Sequence, residues 1–180
     1  MTFRQFAFNN VFRNKRTYAA YFFSSAFAVM VFFVYAVFAF HPDWSGGALQ
    51  SQVSTVMHLA EGIIYVFSFF FVFYSMSAFL KSRKKEFGLL MMHGMTGLQL
   101  RAMVFLENML LGFFATLSGI GAGLVFAKLT LLLGARLLEL DRTPPFYFPW
   151  QALVLTFAAF MVLFVAISLL TVLIVRGGVL

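Results

Sequence analysis

The chain has 180 residues, 62% of them hydrophobic and only 11% charged, with a net charge of +7 and no cysteine. Soluble domains carry roughly 25% charged residues, so this composition describes an integral membrane protein, and the absence of cysteine excludes disulfides, thiolate catalysis and Cys-ligated zinc. The basic balance does not argue for nucleic acid, because the cations flank apolar runs, which is a topological signal of membrane proteins.

Residues 1–16 set Phe3, Phe6, Phe8 and Phe12 against Arg4, Arg13, Lys15 and Arg16. Spacings of three and four predict an amphipathic elbow lying in the headgroup region; a frayed basic tail is the alternative. The first span, 17–40, exceeds the ~7–15-residue core of a signal peptide and reads as a retained anchor. Its Ala20, Ser24 and Ala28 recur every four residues, a spacing that lets a neighbouring helix come close. Turn chemistry from His41 to Gly47 ends the span, and the connection to about Met57 reads as short and polar, not as a folded external domain. The second span covers about 58–80, with Glu61 near its outer end.

Segment 81–97 interrupts the apolar pattern. Lys81, Arg83, Lys84 and Lys85 stop the second span, and Glu86, Phe87 and Gly88 follow. Leu89, Leu90, Met91 and Met92 form an apolar patch too short to cross a bilayer. After Gly94, Thr96 and Gln99 have the spacing of a capping box, with Met95 and Leu100 as the accompanying staple. The segment reads as a short helix whose Phe87 and Leu89 to Met92 make an apolar knob rimmed by cations. Methionine suits adaptable packing into a partner's groove; the other reading is a helix lying on lipid.

The third span, about 102–133, carries Ala115, Gly119, Gly123 and Ala127 at four-residue spacing, a face built for tight helix packing. The nearby Gly-Ile-Gly-Ala-Gly lacks the preceding strand of a nucleotide fingerprint. Glu107 lies where an ionised group costs about 2.5–3.5 kcal/mol. It calls for a partner, Lys81 or Arg83 across the loop, unless it is simply an interface carboxylate near water. A second connection opens as a continuation of the third span around Leu137 and includes Pro144 and Pro145. The fourth span is 150–175.

Ten Lys and Arg residues fall on the side of the amino terminus, segment 81–101 and Arg176, against Lys128, Arg136 and Arg142 on the other. The positive-inside rule then predicts that both termini are cytoplasmic. No phosphate-binding loop occurs, the three histidines have no ligand spacing for a metal, and no catalytic set falls at one membrane depth. The expectation is an all-α, four-span protein with no enzyme site of its own.

Residues 10–17 (NVFRNKRT) resemble the basic elbow before the first span of FtsX-like (MacB-type) ABC-transporter permeases. Lys84, Lys85, Glu86, Phe87, Gly88 and Leu89, followed by Gly94, Glu107 and the glycines of the third span, are similar to that family's signature. The short connection after the first span is most similar to the amino-terminal four-span half of bacitracin-export (BceB-type) permeases, which are much longer chains. The resemblance implies a bacterial plasma-membrane permease, or an amino-terminal part of one. It also implies that segment 84–94 couples to a dimeric cytoplasmic ATPase that binds the ATP and Mg²⁺. The remainder of the permease, membrane lipids and a sensor histidine kinase are the other implied partners, and peptide-antibiotic export the implied role. A small membrane interaction protein, bound through its glycine faces, is the competing expectation.

Overall fold

A computed structural model describes residues 15–40, 50–137 and 150–176. The described residues form five helices: α1 (Lys15–Ala39), α2 (Gln50–Ser82), α3 (Lys84–Met92), α4 (Gly97–Leu137) and α5 (Trp150–Arg176). All but α3 are long and apolar enough to cross a membrane. With no water in hydrocarbon, each backbone amide there must pair within its own segment, and helices do this. The amphipathic elbow expected over 1–16 lies almost wholly outside the described residues.

Two helices exceed their expected spans. Helix α2 begins at Gln50, so residues 50–57, expected as polar connection, are helical. Ser51, Gln52, Ser54 and Thr55 are polar without being helix breakers, and the turn chemistry ends at Gly47. Helix α4 has 41 residues, about 60 Å at 1.5 Å per residue, twice the ~30 Å hydrocarbon core. It runs unbroken through its glycines, of which Gly119 and Gly123 are covered by α1 and Gly112 by α5.

Helix α1 is the centre of the bundle. Its most extensive packing is against α4, then α2, with a smaller contact to α5; α4 and α5 also pack together, whereas α2 and α4 do not lie along one another. The α1–α4 seam is made by small residues. A Cβ on Gly119 would stand 2.6 Å from the Ala26 carbonyl oxygen and 2.6 Å from Val29 Cβ, and one on Gly123 would stand 2.6 Å from the Phe33 ring. Ala115 and Ala127 are buried on the same side. Gly112 faces α5, where an added Cβ would meet the Phe164 ring at 2.5 Å.

The Ala20, Ser24, Ala28 series meets α2 unevenly. Ala28 is buried and Ser24 shares a 2.6 Å hydrogen bond with Ser75 of α2. Ala20, however, is exposed and borders an open cleft beside Ser75 and Phe79. The rings of Tyr18 and Tyr21 on Phe79, with centroids 5.0 and 5.3 Å apart, occupy the contact at this end. Elsewhere Phe32 brings α1 against Tyr65 of α2 and Phe160 of α5, and the Tyr65 hydroxyl donates to the Ala159 carbonyl at 2.8 Å.

Candidate functional site

The site forms where α2 stops. At Arg83 the backbone leaves helical geometry (φ −103°, ψ 6°), and its carbonyl accepts the amides of Glu86 and Phe87 to start α3. Helix α3 ends in a Schellman motif: the Met95 amide donates to the Leu90 carbonyl, and the Gly94 amide to the Met91 carbonyl. Gly94 has φ +92°, a conformation that favours glycine, as this motif requires at its C′ position. The chain then enters α4 through the capping box. The Thr96 amide donates to Gln99 Oε1 at 3.0 Å and the Gln99 amide to Thr96 Oγ1 at 3.4 Å. Two short hydrogen-bonded motifs thus turn the chain within residues 93–96.

These turns place Arg83 in the interior, and its side chain is only 2% exposed. Nη1 donates to Glu107 Oε2 of α4 at 2.5 Å, and Nε to Glu86 Oε2 of α3 at 3.1 Å. The Tyr18 hydroxyl of α1 donates to the other Glu107 oxygen at 2.9 Å. Three rings surround the guanidinium: Tyr18 at 4.9 Å, Phe87 at 5.1 Å and Phe79 at 5.2 Å from their centroids. Burial alone would lower the Arg83 pKa. The hydrogen bond and charge of Glu107, with Tyr18 and Glu86, outweigh burial and leave the pKa above its ordinary value. A planar, always-charged guanidinium meets these demands of two carboxylates and stacked rings, where a lysine ammonium would not.

Of the two partners expected for Glu107, the structure therefore selects Arg83; Lys81 is exposed. Beside Glu107 on α4 lies a second polar junction. The buried Asn108 accepts the Tyr21 hydroxyl of α1 and donates to Ser168 Oγ of α5. Nothing in a linear pattern singled out Tyr18, Tyr21 or Asn108. An amide and an acid side by side in an apolar span are the usable signal, since polar groups there seek partners across helices.

The expected apolar knob divides into two faces. Phe87 is 7% exposed and belongs to the core, and Leu90 is partly buried against it. Phe87 points inward because Arg83 needs a ring there. The outward face consists of Lys84, Lys85, Gly88, Leu89, Met91 and Met92, with Met92 85% exposed. Glu86 is bound to Arg83 and is part of the anchor. Between α3 and α4 runs an open groove of about 750 Å³, lined by Leu90, Met95, Met103, Leu106 and Leu110, with Glu107 at its wall.

Fold and site together define a polytopic helical membrane domain that holds a short amphipathic helix against one of its ends. Residues 60–178 match the family described as FtsX-like permease C-terminal, and the chain belongs to that permease family. It is 48% identical over 178 residues to the ABC transporter permease protein YxdM of Bacillus subtilis (strain 168), covering 99% of this chain and 28% of that protein. It is 42% identical over 176 residues to the ABC transporter permease YvcS of the same organism, covering 95% and 27%. To the bacitracin export permease protein BceB, again of Bacillus subtilis, it is 25% identical over 170 residues, covering 94% and 26%. The chain spans about a quarter of the length of these curated relatives.

Proposed function

We propose that this chain is the four-span part of an ABC-transporter permease and relays motion of a separate, dimeric cytoplasmic ATPase across the membrane. ATP and Mg²⁺ are bound by that ATPase. The observation that carries the reading is the division of α3, whose inner face is anchored through Arg83 and Phe87 while Leu89, Met91 and Met92 stand exposed, as do Lys84 and Lys85. A helix held on one side and left apolar on the other, with adaptable methionines, is suited to a partner's groove. Family membership supports the reading, as do relatives named as ABC transporter permeases. The excess of cations on the α3 side supports cytoplasmic termini. Peptide antibiotics as the transported class are supported by the bacitracin-export relative. A sensor histidine kinase as a further partner is carried by the family resemblance alone.

The competing interaction-protein reading needs free glycine faces. Gly119 and Gly123 are instead covered by α1 and Gly112 by α5.

The test uses the full permease that carries this segment, co-expressed with its ATPase. Met92→Asp and Leu89→Asp are expected to weaken ATPase capture by at least about tenfold, about 1.4 kcal/mol, with unchanged membrane insertion. Undiminished capture in both variants would refute docking through α3. A cysteine at position 92 should be blocked by an impermeant maleimide only from the inner side.

A further inference from the structure

Resting on the proposed docking of an ATPase at α3, the geometry points to Arg83 as the positioning residue that sends motion of α3 into the α1–α4 pair, with α2 left as a follower. Covalent connectivity alone suggests a different route. Helix α3 is separated from α2 by Arg83 itself, so a push on α3 would be expected to travel up α2. The side-chain contacts redirect it. One guanidinium holds Glu86 of α3 at 3.1 Å and Glu107 of α4 at 2.5 Å and lies 4.9 Å from the ring of Tyr18 on α1, whereas its side-chain contact with α2 is the uncharged Phe79 ring at 5.2 Å. Tyr18 closes the ring of contacts by donating to Glu107 at 2.9 Å.

Beyond this node, α1 and α4 share the largest interface of the bundle, with Gly119 set against the Ala26 carbonyl and Gly123 against the Phe33 ring, whereas α2 does not lie along α4. Separating Arg83 from Glu107 would leave a guanidinium that is 2% exposed without its main counter-charge, a costly rupture in a buried setting. The node therefore yields late under load, and the inner ends of α1, α3 and α4 move as one body. Asn108, bound to Tyr21 and Ser168, extends that body to α5 one residue further along α4.

The experiment places polarity-sensitive fluorophores, one at a time, on cysteines replacing Val125 of α4 and Leu59 of α2. Both positions are exposed and lie towards the end of the bundle away from α3. The full permease with its ATPase is reconstituted and trapped with ATP and vanadate. The parent should show an emission shift at position 125 that exceeds the shift at 59. Glu107→Gln, which keeps shape and removes the charge, should lose the shift at 125 while capturing ATPase as the parent does. Arg83→Lys should also lose the shift at 125, read per captured ATPase, since an ammonium keeps the charge but cannot serve two carboxylates and three rings together; it is the variant read if Glu107→Gln fails to fold. An undiminished shift at 125 with capture intact would overturn the role of Arg83 and leave the docking reading standing. Loss of capture in both variants would also overturn it, because the node would then be shaping the docking face. A parent that captures no ATPase would remove the docking reading, and this inference with it.

Discussion

Gly119→Ala tests the central seam of the bundle with a single methyl group. The new Cβ would stand 2.6 Å from the Ala26 carbonyl oxygen and 2.6 Å from Val29 Cβ, with Val29 Cγ1 at 2.8 Å. Ordinary carbon contacts begin near 3.5 Å, so α1 would have to retreat by close to an ångström. The obstacle includes backbone, which cannot rotate aside as a flexible side chain would. Overpacking of this kind costs about 1–3 kcal/mol, and alanine returns up to about 1 kcal/mol in helix propensity. The net expectation is a loss of about 1–2 kcal/mol. Gly121→Ala is the matched control, since nothing lies within 4 Å of its would-be Cβ. It should be neutral or stabilising by up to about 1 kcal/mol, although lipid tempers the propensity gain. Unfolding titrations in mixed micelles, run side by side, measure the difference. Equal midpoints for the two variants would refute the α1–α4 seam as described.

Two further outcomes test the polar contacts. Asn108→Leu removes the hydrogen bonds to Tyr21 and Ser168. At about 0.6 and at most 1.7 kcal/mol per interhelical bond in membranes, it should cost about 1–3 kcal/mol in the same titration. Adding Tyr21→Phe should recover part of that loss by removing the orphaned hydroxyl. Thr96→Ala deletes one half of the capping box and should cost about 1 kcal/mol locally. Amide exchange at Gln99 should then rise by about fivefold with the global midpoint little changed.

How far the sequence revealed this structure differs from one residue to the next. The four spans were legible because a run of apolar residues long enough to cross a bilayer has few alternatives. The capping box was legible because Thr96 and Gln99 interact across a single turn. Arg83 was not: within the basic run nothing local distinguishes it from Lys81, Lys84 or Lys85. Its inward turn depends on where α2 breaks and on the depth of Glu107, which is a tertiary condition. Phe87 belonged by pattern with Leu89 and Met92, yet the guanidinium needs a ring beside it and draws that side chain into the core. Gln50 extended α2 beyond the expected span because polarity ends an apolar run without ending a helix. Tyr18 and Asn108 acquired meaning only once α1 stood between α2 and α4.

The central place of α1 has a consequence for how the protein is made. The first span leaves the ribosome well ahead of its principal neighbour; Tyr18 and its acceptor Glu107 are 89 residues apart. In the interval, of the described helices, only the second span can cover it, and the Tyr21 hydroxyl and the surface destined for Gly119 and Gly123 stay without their partners. The later hairpin of third and fourth spans must arrive as a unit and displace lipid from a surface already threaded into the bilayer. Substitutions along that surface should therefore show first as slow maturation and early degradation, before any defect in the finished protein becomes visible.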